Sequence, residues 1–146
     1  MLAEARDSQR MSDLDSVKSA INLYLATTTS TPTLGIIARS TANATCGFGT
    51  CTVTAVYTVA GGGWVEVDFT KASGGSPLAT LPRDPINGTC GATVCQYAYK
   101  GDNTNKTFEL DAVLESAKYS PKMLNTADGG NSDSYYEIGS APGLAL

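Results

Sequence analysis

The chain has 146 residues, 42% of them hydrophobic, a formal charge of −4 and no histidine. That length suits one domain with a genuine core and is too short for two. The ten basic residues are scattered singly, which excludes the concentrated positive surface that binds nucleic acid or an anionic membrane. The lack of histidine excludes Ser-His-Asp and Cys-His catalysis, and no run approaches the roughly 18 consecutive apolar residues of a membrane span.

Met11, Leu14, Val17, Ile21, Tyr24 and Leu25 recur at steps of three and four, the stripe of an amphipathic helix. Asp7, Ser8, Asp13, Asp15, Ser16 and Lys18 take the other face. A helix from Ala3 to Ala26 would run about 35 Å, longer than a domain of this size needs for its own core. The expectation is therefore the lower end of a still longer helix. The threonine-rich run Thr27 to Thr33, with Pro32, ends it, because β-branched residues lose rotamer freedom in a helix and proline disfavours the α region in the residue before it.

Beyond this break the chain reads as turn-rich β-structure. Leu34-Gly-Ile-Ile-Ala38 has no clear period and suits a loop or turn covering the core. Thr52 to Val59 and Gly63 to Thr70 are rich in β-branched and aromatic residues, and the glycines of Ala60-Gly-Gly-Gly63 between them predict a β-hairpin. In its second arm Trp64, Glu66, Asp68 and Thr70 alternate with Val65, Val67 and Phe69, as on a half-buried sheet. Ser73-Gly-Gly-Ser-Pro77 reads as a linker, and Leu81-Pro-Arg-Asp-Pro-Ile-Asn-Gly88 as an extended, turn-forming segment. Val94 to Lys100 and Thr107 to Glu115 read as a second strand pair, and Ser134 to Ile138 as a last short strand after the polar run Asp128 to Asp133.

Four cysteines form two pairs of identical spacing, Cys46-Gly-Phe-Gly-Thr-Cys51 and Cys90-Gly-Ala-Thr-Val-Cys95. Such an even, local pattern predicts disulfides and an oxidising compartment. Pairing Cys46 with Cys51 and Cys90 with Cys95 is favoured because Gly47, Gly49 and Gly91 allow each loop to turn tightly. A single zinc site held by all four thiolates is the competing reading.

The N-terminal segment Ala5-Arg-Asp-Ser-Gln-Arg-Met-Ser-Asp-Leu-Asp15, continuing to Ile21-Asn-Leu-Tyr-Leu25, resembles the soluble half of the helix in bacterial type IV pilins and type II secretion pseudopilins. So does the later order: Leu81-Pro-Arg-Asp-Pro85, Tyr97-Ala-Tyr99, Thr107 to Glu115, and Asp128-Gly-Gly-Asn131 ahead of Tyr135-Tyr-Glu-Ile-Gly139. These pieces span most of the chain; each is common alone, and their order carries the resemblance. The family's leader, cleavage glycine and apolar anchor of about twenty residues have no counterpart here, so the expectation is a chain that starts mid-helix.

The resemblance implies an α+β fold in one domain, residues 1–146: a long N-terminal amphipathic helix (1–29) packed on an antiparallel sheet, an αβ-loop region with a hairpin (30–80), and a sheet with a C-terminal loop (81–146). It also implies a non-enzymatic subunit of a pilus or secretion pseudopilus, extracellular or periplasmic. Its partners would be copies of itself in a helical filament, the assembly machinery, and the inner membrane through a segment not in this sequence. Subunit contacts repeating head to tail without closing build a fibre, and Arg6, Asp7, Arg10 and Asp13 are candidates for pairing between subunits; solvated surface charge is their simpler role.

No cofactor is required by this reading. Asp128, Asn131 and Asp133 are candidate calcium donors, short oxygen ligands in a glycine-loosened loop, and the resemblance implies calcium in a C-terminal loop. Glu66 and Asp68 share a strand face, an arrangement open to paired-carboxylate chemistry and more ordinarily a polar surface. The Asn-x-Thr triplets at Asn43, Asn87 and Asn105 would matter only in a eukaryotic secretory pathway. The runner-up function is a secreted, disulfide-stapled module that binds glycan or protein through Trp64 and Tyr57, although such aromatics more often pack than bind.

Overall fold

A computed structural model describes residues 2–123 and 134–140 of the chain. Its first element is the helix α1, Leu2–Thr27, close to the bounds that periodicity predicts. Leu14, Val17, Ala20, Ile21 and Tyr24 are buried along one side, so the apolar stripe packs on the chain's own core as its period requires. The helix stops as its sequence predicts: the Thr27 hydroxyl donates back to the Leu23 carbonyl, and the Tyr24 hydroxyl accepts from the Thr33 amide at 2.9 Å.

Among the described residues nine short strands follow: β1 Arg39–Ser40, β2 Thr45–Cys46, β3 Gly49–Thr50, β4 Thr52–Val53, β5 Gly88–Cys90, β6 Thr93–Cys95, β7 Tyr97–Asp102, β8 Thr107–Ala112 and β9 Tyr136–Gly139. Five of them form one sheet in the order β4-β1-β7-β8-β9, while β2-β3 and β5-β6 are separate two-stranded hairpins. The fold is α+β as expected, but the sheet is mixed rather than antiparallel, because β1 and β4 run parallel. The chain between them forms the β2-β3 hairpin, which returns β4 to the same direction. The other three pairings are antiparallel.

Strict alternation along β7, β8 and β9 gives the sheet two different faces. Tyr97 pairs with Ala112, Tyr99 with Leu110, Gly101 with Phe108, Leu110 with Ile138 and Ala112 with Tyr136; Tyr97, Tyr99, Phe108, Leu110 and Ala112 belong to the core under α1, and Tyr136 and Ile138 pack against it. Ala98, Lys100, Glu109, Asp111 and Glu137 point the other way. There Ala98 joins a smaller apolar cluster with Ala38 and the Cys46 and Cys51 disulfide, against which Phe48 packs. The β2-β3 hairpin thus covers part of the back face. Gly101 must be glycine, because a Cβ there would lie 2.2 Å from the Leu34 carbonyl oxygen.

The predicted hairpin over residues 52–70 does not form as a ladder. Thr52–Val53 is its only strand, and beyond it the arms meet at one isolated bridge, Ala60 to Asp68, and at the Trp64-to-Val56 and Phe69-to-Val59 backbone bonds of 3.0 and 2.8 Å. The reason is burial of the second arm: Trp64, Val65, Val67 and Phe69 are all wholly enclosed, so neighbouring residues turn into the core together as an irregular plug, and only Glu66 and Asp68 between them stay partly exposed. Asp68, in the alternating polar set, instead caps a 3-10 turn, Phe69–Lys71, by accepting from the Thr70 amide.

Candidate functional site

The polar residues of the helix N-terminal half converge on one buried ionic cluster. Arg10 lies 0% exposed between three carboxylates: its Nε donates to Asp84 at 2.9 and 3.1 Å, and its Nη1 contacts Asp7 at 2.8 Å and Glu115 at 2.7 Å. Asp7, also wholly buried, accepts from the backbone amides of Glu115 and Ser116 and from the Ser116 hydroxyl at 2.7–3.1 Å. Arg6 pairs with Glu115 from the rim. Burial is the largest single influence on Arg10 and opposes its charge, but the hydrogen bonds and charge of Asp84, joined by the hydrogen bonds to Glu115 and Asp7, together outweigh it and hold the guanidinium above its ordinary value. The Arg6 hydrogen bond, opposed by burial and joined by Arg10, holds the Glu115 carboxyl below its usual range.

This cluster joins three distant parts of the chain: α1, the Leu81-Pro-Arg-Asp-Pro85 segment and the stretch after β8. A buried ion pair contributes little net stability against an apolar replacement, yet breaking one strands a buried charge at large cost. The arrangement fixes the angle of the helix on the sheet. Asp7 and Arg10 offer no surface to another subunit, so their pairing lies within the chain. Asp13 is partly buried and accepts from the Tyr97 hydroxyl at 2.7 Å and from Gln9 at 2.6 Å; burial, partly offset by Tyr97, raises its carboxyl.

A second cluster sits on the back of the sheet. Glu109, Asp111 and Glu137 are 1–2% exposed, and carboxyl oxygens from the three lie within 4.8 Å of one another. Burial, then Asp111, then Glu137 push the Glu109 carboxyl up to about 12. Alternation in Phe108-Glu-Leu-Asp-Ala112 puts Glu109 and Asp111 on the face away from the core, and nothing local signals that this face is also enclosed. Asp84 and Glu115, likewise unassigned from sequence, become visible only once their segments meet Arg10.

The cysteines pair as predicted, Cys46 with Cys51 and Cys90 with Cys95, at Cα separations of 6.0 and 5.8 Å. No thiolate remains for the zinc alternative. Asp128, Asn131 and Asp133, the expected calcium donors, lie outside the described residues. Glu66 faces Arg39 at 3.7 Å and the Ile37 amide at 3.3 Å, so it and the capping Asp68 have structural partners. Trp64 is 0% exposed, with its indole N–H donating to Pro82 and its ring 5.7 Å from that of Tyr97. It is core, not a ligand platform.

A cleft of about 340 Å³ runs between the two disulfide hairpins, lined in part by Asn43, Thr45, Thr93, Gln96 and Tyr135. Gln96 braces it, accepting from the Ala42 and Asn43 amides and donating to the Thr45 carbonyl. Among the described residues no helix is long and apolar enough to cross a membrane. Compared with protein-family models, with curated proteins and with solved structures, the chain finds no match.

Proposed function

We propose that this chain is the soluble domain of a non-enzymatic filament subunit of the type IV pilin and secretion pseudopilin kind. The observation that carries the reading is the 26-residue N-terminal helix laid across a sheet, with the centre of its apolar stripe, Leu14, Val17, Ile21 and Tyr24, buried in the domain's own core. The opposite side, including Ser8, Ser12, Asp15, Ser19 and Leu23, is exposed. Small polar side chains on that side let a neighbouring helix approach closely. Subunit contacts are assigned there and to adjoining loops, in place of the ionic residues that the domain uses internally.

The ionic cluster supports this role by holding the helix rigidly, since a repeating contact needs one fixed angle between helix and domain. The two disulfides suit a protein working in an oxidising compartment. Enclosure of Trp64 withdraws one of the two aromatics, Trp64 and Tyr57, that the glycan- or protein-binding alternative named, and leaves only the half-buried Tyr57 for it.

The test is immunogold labelling of filaments sheared from cells that overproduce the complete gene product, using antibodies against this domain. Label repeating along the shaft is the expected outcome. Protein recovered only as a dispersed secreted species, with unlabelled filaments, overturns the assignment.

A further inference from the structure

We propose that the two disulfide hairpins are the jaws of a preformed cleft for a short, uncharged saccharide. The space between them, about 340 Å³, lies within the size range of small-molecule sites, about 300–1,000 Å³. Asn43 and Thr45, just before and within β2, line one side; Thr93 and Val94 of β6 line the other; Gln96 and Tyr135 complete the lining between them.

The walls are held in place before any ligand arrives. The Cys46–Cys51 bridge ties the first hairpin and Cys90–Cys95 the second. Gln96, 5% exposed, follows directly on Cys95 and bonds the Ala42 and Asn43 amides and the Thr45 carbonyl, so one side chain locks the first wall to the chain that carries the second. Tyr135 is set by the tip of the first hairpin, where a Cβ on Gly47 would lie 3.3 Å from its ring. Rigid walls spare a ligand the cost of ordering them, which gives the echoed cysteine spacing a use that a filament role alone does not.

The lining selects the class of ligand. Among the described residues no charged side chain lines the cleft, so it offers no ionic partner to a phosphate, a carboxylate or an ammonium group. The Asn43 side-chain oxygen accepts from the Thr45 amide at 2.8 Å, while the Asn43 side-chain nitrogen and the Thr45 and Tyr135 hydroxyls make no hydrogen bond to a described residue. Hydroxyls that donate and accept, beside an amide that donates, match the hydroxyls of a sugar. The Tyr135 ring and Val94 supply an apolar surface for the C–H face of a sugar ring. An extended peptide would need a free strand edge, but the Thr45 amide and carbonyl are already taken by Asn43 and Gln96. The site uses neither Trp64 nor Tyr57 and does not depend on assembly into a filament.

The experiment is an amide-resolved NMR titration of the full chain with glucose, galactose, N-acetylglucosamine and maltose, each to about 10 mM, well above a weak dissociation constant of about 1 mM. The Thr45, Thr93 and Gln96 amides should shift saturably with at least one of these sugars. Tyr135→Ala should weaken that binding tenfold or more, and so should Thr45→Arg, an exposed position where the new side chain obstructs the cleft without disturbing the core. Lys71→Ala, exposed and outside the cleft, should bind as the wild type does. No shift with any of the sugars, or shifts that Thr45→Arg leaves unchanged, overturns the proposal. Saturable shifts of the same amides with triglycine and not with the sugars also overturn it, because the cleft would then be a peptide site.

Discussion

Arg10 and Asp84, 74 positions apart, meet in a fully enclosed pair, with the guanidinium Nε donating to both carboxylate oxygens at 2.9 and 3.1 Å. Because Asp7 and Glu115 share the same guanidinium, removing it leaves several acids without their cation. Arg10→Ala should cost about 3–5 kcal/mol, read as a lower urea midpoint. A loss under about 1 kcal/mol would mean that water already reaches these charges.

The acid limb of stability should depend on Glu115. Its folded-state carboxyl is depressed by Arg6 against burial and with help from Arg10, so its contribution is present above its ordinary value of 4.5 and is lost as pH falls through the lower folded value. Thermal unfolding followed across acid pH should show a shallower decline in Glu115→Gln than in the parent. Parallel curves would remove Glu115 from the account.

Trp64 is the single tryptophan, which makes its environment directly readable. Folded protein should emit with the blue-shifted spectrum of an enclosed indole and resist quenching by iodide, and Trp64→Ala should destabilise by about 3–5 kcal/mol. Efficient quenching in the folded state would restore Trp64 as a surface contact.

Each disulfide closes a short loop, with a sequence separation of five, so the chain-entropy contribution is about 2 kcal/mol apiece. Reduction should lower exchange protection in the region from Cys46 to Cys95 more than in α1, where the buried stripe and the ionic cluster persist. Unchanged protection in that region on reduction would show the hairpins to be held by packing alone.

Gly101→Ala should lower the melting temperature through a loss of about 1–3 kcal/mol, since the new methyl meets the Leu34 carbonyl. The comparison substitution is Gly74→Ala, where a Cβ meets nothing within 4 Å and only its positive φ of 85° opposes the change. The buried site should lose more.

The sequence by itself determined what local periodicity encodes. The 3.6-residue stripe placed α1 and its buried face, the β-branched and aromatic runs placed β7, β8 and β9 within a few residues, and glycine-loosened loops paired the cysteines. These follow from side-chain direction and backbone freedom, which neighbours in sequence control. Only the tertiary structure decided what depends on enclosure from a distance. Residues 64–70 alternate like a strand, yet form no ladder because the core claims Trp64 with Val65, Val67 and Phe69. Asp7 and Arg10 read as solvated charges, since charge is ordinarily left in water, and nothing local sets Glu109 and Asp111 apart. Their burial comes from segments tens of residues away, whose carboxylates, amides and backbone close over them, and no local pattern records that approach.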